Sequence, residues 1–301
     1  MRNLFSNYFY FAAGVVFLLL AKVKHSLEGY KTPKPFGVSD AERCVDYDIK
    51  VVKEWIESLD TYAGLPGSLV GKHVLELGPG SDLGSGLTIL SYGAQSYTAI
   101  DVNNLIENVP MQFYDCLLDR LQKENPGIDA NVLKRELYEQ RQGMSDRLKF
   151  HCRPDFNILD AVGEGKVDIV FSQAAFEHFD DVQRTIQELS AGCSSNAVAI
   201  ISVDLQTHSR WIRDKDPNNI YRYPDWLYNK FYFKGTPNRV RPYQYKELFE
   251  KNGWRDVTIQ PLIKLDDSRV EKEAPYLADA FRTDKSEMGS LGILICARRS
   301  G

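Results

Sequence analysis

A strand-like run, His73 to Leu77, breaks directly into Gly78-Pro79-Gly80-Ser81-Asp82-Leu83-Gly84-Ser85-Gly86. Glycines this dense force a tight turn into a helix and let backbone approach a ligand closely, because no Cβ stands in the way. A second run, Ser96 to Ile100, ends in Asp101 and Val102, with Asp101 21 residues beyond Gly80. Strand, glycine loop, helix, strand and acid in this order form the first half of a Rossmann-like unit. In such a unit an acid at that distance reaches both hydroxyls of an adenosine ribose.

Two cofactor classes use this layout. A dinucleotide needs Gly-x-Gly-x-x-Gly so that its pyrophosphate sits on the helix amino end. Here the third glycine, Gly84, comes one position late, and the acids Glu76 and Asp82 crowd the loop. A cofactor with an ammonium and a sulfonium is served better: the Glu76 carboxylate attracts its positive amino-acid end and the loop amides meet its carboxylate. S-adenosylmethionine has that chemistry.

Further strand-like runs follow at 148–152, 167–171, 196–203, 256–263 and 291–297. Their continuous Val, Ile and Leu content marks strands buried on both faces, and the helical stretches between them mark parallel crossovers. The fold expected is α/β, a doubly wound seven-stranded Rossmann-like sheet spanning residues 39–301, entered by a helix over Ser39 to Leu59 that Ser39 would cap. Two stretches exceed what a crossover needs: a helical insertion at 102–147, read as a cap with segments Phe113–Leu121 and Val132–Tyr138, and a second insertion at 205–241.

Glu76-Leu77-Gly78-Pro79-Gly80, Asp101 and the later Ser172-Gln173-Ala174-Ala175-Phe176-Glu177-His178 together resemble the class I S-adenosylmethionine-dependent methyltransferases, from His73 to Ala297. The resemblance implies an antiparallel last strand and a cofactor held by Glu76, Gly78, Pro79, Gly80, Asp101, Val102 and Ser172. It places adenine contacts after the third strand, at Asp155 and Phe156, with Asp160 competing. Asn238-Arg239-Val240-Arg241, leading into a helix over Pro242–Asn252, is similar to a stretch in methyltransferases of surface-polysaccharide and glycolipid pathways.

Glu177 and His178 follow the fourth strand, and Asp204 and His208 follow the fifth, so in a parallel sheet all four adjoin the ligand crevice. A histidine there can accept the proton of a hydroxyl as its oxygen attacks, with a carboxylate orienting the ring; His178 is preferred, then His208. Glu177, His178 and His208 are alternatively ligands for a divalent metal that acidifies the acceptor. In a third reading Glu177 serves the helix that begins near Asp180-Asp181, and His208 is a solvated loop residue. The 205–241 insertion carries eight aromatic and eight basic residues against three acidic ones from Gln206 on. Aromatic faces stack on sugars or bases and Arg forks grip phosphate or carboxylate, so this is expected to be an acceptor-binding lid, or else an aromatic mini-core.

The amino-terminal segment, residues 1–30, contains an uncharged run from Tyr8 to Ala21 and is apolar over residues 4–23. It is long enough to cross roughly 30 Å of hydrocarbon, lacks a small-x-small cleavage site, and is followed by Lys22, Lys24, Lys31 and Lys34. A membrane anchor, spanning or lying in the interface and keeping the rest cytoplasmic, and a helix docked on protein are both open. Five scattered cysteines without a Cys-x-x-Cys pair speak for a reducing compartment.

The expected activity is O-methylation of a sugar hydroxyl on a saccharide or lipid-linked glycan, with a small-molecule or glycan acceptor and contact with a membrane surface. A net charge of −4 argues against nucleic acid as partner, and with it against a metal-assisted RNA ribose methyltransferase. An NAD(P)-dependent oxidoreductase lacks its glycine spacing and a Tyr-x-x-x-Lys pair. A non-catalytic nucleoside-binding or scaffold protein is the remaining alternative.

Overall fold

The structure, a computed structural model, describes residues 2–29 and 40–301. Its elements in chain order are α1 (Arg2–Glu28), α2 (Ala41–Ala63), β1 (His73–Leu77), α3 (Gly84–Ser91), β2 (Ser96–Asp101), α4 (Met111–Glu124), α5 (Ala130–Arg141), β3 (Leu148–Cys152), α6 (Ile158–Val162), β4 (Val167–Gln173), α7 (Val182–Gly192), β5 (Cys193–Asp204), α8 (Arg210–Arg213), α9 (Asp225–Tyr228), α10 (Pro242–Lys251), β6 (Trp254–Lys264), α11 (Asp267–Glu273) and β7 (Ser290–Arg299). Ser39, the expected cap of α2, and Lys31 and Lys34 lie outside the described residues. Asp40 occupies the cap position without a capping hydrogen bond from its side chain, which pairs with Arg43 at 3.0 Å.

The seven strands form one sheet in the order β3-β2-β1-β4-β5-β7-β6. The first five run parallel, and β7 is antiparallel to both its neighbours. The order reverses between β1 and β4, and a parallel sheet opens a ligand crevice at the carboxyl ends of the strands on either side of such a switch. Gly78 and Gly80 after β1, and Glu177 and His178 after β4, therefore meet across it.

One face of the sheet is covered by α2, α3, α4 and α5, with Trp55 stacked on Phe171 at 4.8 Å between ring centroids. Each fully buried large apolar side chain contributes about 1.5–3 kcal/mol. The 102–147 insertion thus belongs to this layer and is not a cap over the crevice: Phe113, Tyr114, Leu117, Leu118 and Leu121 are buried in the core, and an amphipathic helix goes where its apolar stripe finds a partner. It still serves the site, because the Tyr114 hydroxyl accepts a hydrogen bond from the Leu83 amide in the glycine loop at 3.3 Å. The opposite face packs against α6, α7 and α10.

A third apolar cluster lies outside the sheet. The 205–241 insertion supplies Ile220, Tyr221, Tyr223 and Tyr228, and the β6–β7 connection supplies Leu277, Phe281 and Met288. No element is expected from the sequence in that connection, where α11 and short 3-10 turns stand. Phe11, Val15 and Leu18 of α1 pack onto the same cluster.

α1 touches the rest of the chain along one face between Tyr10 and His25. Tyr10 and Phe11 carbonyls accept from Asn219 Nδ2 and Tyr223 Oη at 3.0 and 3.1 Å, Lys22 Nζ donates to the Lys230 carbonyl at 2.8 Å, and His25 stacks on Phe233. Gly14 sits at the closest approach, where an added Cβ would lie 2.0 Å from Asn219 Oδ1 and Tyr223 Oη. The other face of α1 leaves Phe5, Phe9, Val16, Leu20, Val23 and Leu27 exposed. Gly14→Leu is expected to lever α1 off, lowering stability by about 1–3 kcal/mol as other overpacked contacts do. The variant should melt earlier and be cut faster by trypsin at Lys22 and Lys24; unchanged melting and digestion would show that the docking contributes nothing.

Candidate active site

The glycine loop is shaped for a ligand. Gly78 and Gly80 have φ of +73° and +78°, a region that side-chain-bearing residues avoid. A Cβ on Gly78 would strike that of Ala175 at 2.6 Å, which fixes how closely the turns after β1 and β4 meet, whereas a Cβ on Gly80 would meet nothing within 4 Å. The open side of Gly80 is flanked by Asp101, whose carboxylate accepts from the Asn103 amide at 2.8 Å and is also held by the Gly80 and Val102 amides. Behind the loop lie three buried carboxylates, those of Asp48, Glu76 and Asp82. Glu76 accepts the Tyr97 hydroxyl at 2.5 Å and Asp82 accepts the Gly84 amide at 2.8 Å. A negative recess behind the loop and a carboxylate at the tip of β2 fit the charges of S-adenosylmethionine and oppose a pyrophosphate, while the Gly78, Gly80, Leu83 and Gly84 amides are engaged within the chain. Asp48 is not among the residues singled out from the sequence; its signal is an acid on the apolar stripe of α2, between Val45 and Val52, where a buried carboxylate is rare.

Other expected contacts have prior engagements. Asp155 forms a two-pronged pair with Arg153 at 3.0–3.1 Å, Asp160 shares the same guanidinium at 2.7 Å, and Arg153 donates its amide to the Asp101 carbonyl. The Arg153 guanidinium holds Asp155 below the usual carboxylate range. Phe156 takes φ +50° and packs its ring on Phe179 at 4.8 Å. Both stand beside the tip of β2, where an adenine next to a ribose held by Asp101 would lie. Ser172 is fully buried and donates its hydroxyl to the Leu77 carbonyl at 2.8 Å, so its side chain ties β4 to β1.

The second half of the site lies across the crevice. Glu177 and His178 form the 3-10 turn Phe176–His178, which the end of the 205–241 insertion clamps. The Asn238 amide donates to the Glu177 carbonyl at 2.7 Å, and Asn238 Nδ2 donates to the carbonyls of Phe176 and Phe179. His178 Nδ1 donates to the Gly235 carbonyl at 2.6 Å and His208 Nδ1 to the Gln206 carbonyl at 3.1 Å. A carbonyl can only accept, so both rings carry their proton on Nδ1 and present Nε2 as a lone pair. The rings meet edge to face at 4.8 Å.

A neighbouring carboxylate was expected to orient the ring, but backbone carbonyls do so. Asp204 instead pairs with Arg213 at 2.7 Å and accepts the Gln206 amide, so it acts on the histidines as a nearby charge. Nor does Glu177 serve the helix that follows, since Asp181 caps α7. Glu177 is 3% exposed and no side chain hydrogen-bonds its carboxylate, against which only the backbone amides of Glu177 and Asp204 lie. Burial, with Asp204 close by, pushes its pKa up to about 8. Burial pushes His178 down despite the Gly235 carbonyl; His208, open to solvent on one side, is pushed down by the protein packed round its ring and then by His178.

The arginines of the insertion are not free forks. Arg222 pairs with Asp216 at 2.7 and 3.0 Å. Arg239 donates to the Ile220 and Tyr223 carbonyls and to Asp225, and Arg241 to the carbonyls of Ser286, Glu287 and Ser290. A desolvated guanidinium turns its donors onto the chain, so Arg239 ties the insertion to itself and Arg241 staples it to the end of the β6–β7 connection. Trp211, Trp226 and Tyr232 stay exposed, while Tyr221, Tyr223 and Tyr228 form the mini-core.

The sequence model of a family described as methyltransferase domain matches residues 47–259, more than two thirds of the chain. The chain belongs to this methyltransferase family. It is an S-adenosylmethionine-dependent methyltransferase of class I, with the sheet order and glycine loop in place. Among solved structures, the methyltransferase is similar to an S-adenosylmethionine dependent methyltransferase from Mesorhizobium loti, at 13% identity over 82% of this chain and 100% of that one, TM-score 0.40. It is also similar to phosphoethanolamine N-methyltransferase 2 of Haemonchus contortus in complex with S-adenosyl-L-methionine, at 12% identity over 85% of this chain and 53% of that one, TM-score 0.44. A third is the CurJ carbon methyltransferase, at 12% identity over 81% of this chain and 52% of that one, TM-score 0.40. The chain spans about half the length of the last two. No curated protein matches its sequence.

Cofactor binding should depend on pH through Asp101. Only the carboxylate accepts hydrogen bonds from both ribose hydroxyls, and burial raises the pKa of Asp101 above its ordinary value. As pH falls through that raised pKa the acceptor is lost, so the Kd for S-adenosylhomocysteine should climb at a higher pH than an exposed aspartate would give. Titration calorimetry of the wild type beside Asp101→Asn checks this: the variant's affinity should not follow that midpoint, and identical profiles would remove Asp101 from the pocket.

Proposed function

We propose that this methyltransferase O-methylates a hydroxyl of a saccharide, free or lipid-linked, at the cytoplasmic surface of a membrane. The observation that carries the reading is the pair of Nε2 lone pairs on His178 and His208, at the carboxyl ends of β4 and β5 across the switch point from Gly80 and Asp101. S-adenosylmethionine supplies an activated methyl on a sulfonium. The protein has to align the acceptor and manage its proton. A hydroxyl docked against the two imidazoles is held by its own hydrogen, which is drawn off there as the oxygen attacks.

The 205–241 insertion forms one rim of this space. Lys234 Nζ reaches the Pro154 carbonyl at 2.6 Å, so the insertion extends from the end of β5 to the loop after β3. Trp211, three residues past His208 and 84% exposed, offers a face for a sugar ring. The membrane part of the reading rests on α1. Its protein contacts lie on one face, through Tyr10, Phe11, Gly14, Lys22 and His25, so a spanning pose would forfeit them, whereas an in-plane pose keeps them and gives the outward apolar face to lipid.

The test is to incubate the full chain with radiolabelled methyl donor and fractionated cell extract. Label should enter the saccharide or lipid-extractable saccharide pool; label confined to RNA, protein or amines overturns the acceptor class. Co-sedimentation with vesicles containing anionic lipid checks the surface. Phe9→Glu/Leu20→Glu should lose at least about tenfold in partitioning, since two buried side chains contribute several kcal/mol, and equal partitioning would refute the in-plane pose.

A further inference from the structure

We propose that Glu177, His178 and His208 form a binding site for one divalent first-row transition-metal cation, such as Mn2+, Co2+ or Zn2+, which takes the acceptor hydroxyl as a further ligand. One ligand atom from each residue lies within 4.8 Å of the others. A cation bound at about 2.0–2.2 Å spans donors roughly 3–3.6 Å apart, so the ligand atoms would have to draw in by about an ångström to close the set.

Two independent observations point to an ion and not to a chance meeting of polar groups. First, both imidazoles have Nδ1–H tied to a backbone carbonyl, of Gly235 and of Gln206, with Nε2 left over. That outer hydrogen bond is the one that fixes tautomer and orientation in metal-ligating histidines. Second, the Glu177 carboxylate is buried among the three with no side-chain partner for either oxygen, only the backbone amides of Glu177 and Asp204 lying against it. A buried carboxylate without a side-chain partner is costly, and a cation between it and the two Nε2 atoms would satisfy it. Asp204, held by Arg213, stays outside the set and adds negative charge nearby.

Two imidazoles and one carboxylate suit transition metals better than Mg2+ or Ca2+, which prefer all-oxygen sets. Three protein ligands leave coordination positions open, and His208 opens to solvent at the mouth. With both Nε2 atoms committed to the cation, the proton of a hydroxyl bound there would leave to water beside His208 and not to the imidazoles, its O–H bond breaking as the cation acidifies it. The O–CH3 bond then forms as the S–CH3 bond breaks, the electron pair returning to sulfur as a neutral thioether, so no oxidant or reductant is consumed.

This last step rests on the oxygen-acceptor reading; the metal site itself does not. The full chain, stripped with chelator, is titrated with Co2+ and followed by calorimetry and by visible absorption. One equivalent should bind, and His208→Ala and Glu177→Gln should each weaken it at least about tenfold. His208→Ala alters an exposed side chain, so its circular dichroism should match the wild type. Absence of Co2+ binding, or binding unchanged in His208→Ala, overturns the site. Binding that His208→Ala weakens, with label entering no saccharide, leaves the metal site standing and refutes the acceptor class.

Discussion

Asp101→Ala should lose S-adenosylmethionine and S-adenosylhomocysteine binding by about a hundredfold or more while remaining folded. A carboxylate facing a ribose diol makes two charge-assisted hydrogen bonds, each about 1.5–3 kcal/mol, and tenfold in Kd is 1.4 kcal/mol. The residue is half-buried at the end of β2, with backbone amides of Asn103, Gly80 and Val102 around it. Truncation therefore removes acceptors without opening a cavity in the apolar core. The glycine loop keeps its shape independently, through the Gly78 amide on the Ile100 carbonyl and the Asp82 side chain on the Gly84 amide. Calorimetry with S-adenosylhomocysteine, beside circular dichroism and a melting curve, separates the effects. Wild-type affinity in the variant would mean that the nucleoside is not gripped at the tip of β2.

The sheet was legible because its signals are local. Runs such as Val167 to Phe171 are apolar on both faces, and the glycine loop and Asp101 sit at a spacing that the βαβ unit imposes. What the sequence could not show is which partner each polar side chain finds. Arg239 and Arg241 read as free forks because eight basic residues crowd one segment, yet burial turned them inward onto carbonyls of residues 220–223 and 286–290. Those carbonyls belong to short 3-10 turns, loop and the first residue of β7, which carry no periodicity to detect. The insertion after β2 was legible as two helices but not as part of the α2–α3 layer, since an apolar stripe does not name its partner. Glu177 and His178 were located by their place after β4, while the carbonyls of Gly235 and Gln206 that set both tautomers are backbone groups, invisible to any reading of side chains.

The second large effect is expected at His178. His178→Ala should lower the rate of methyl transfer by about 10²–10⁴-fold, the range for a positioned group that handles a proton. S-adenosylhomocysteine affinity should stay within about threefold, because the ring lies on the β4–β5 side of the crevice while the loop amides and Asp101 lie on the β1–β2 side. Asn238 keeps the Phe176–His178 turn clamped through backbone carbonyls that the substitution does not touch, so the turn should hold its place. Single-turnover rates at saturating cofactor measure the chemical step directly and separate this split from a folding defect, which would reduce affinity and rate together. His208→Ala provides the companion measurement, since that ring presents the other Nε2 at 4.8 Å between centroids. If the two act on one oxygen, the double variant should lose little beyond the worse single one, as residues working as a unit do. If both single variants transferred methyl at the wild-type rate, the acceptor oxygen would have to be handled elsewhere than at the carboxyl ends of β4 and β5.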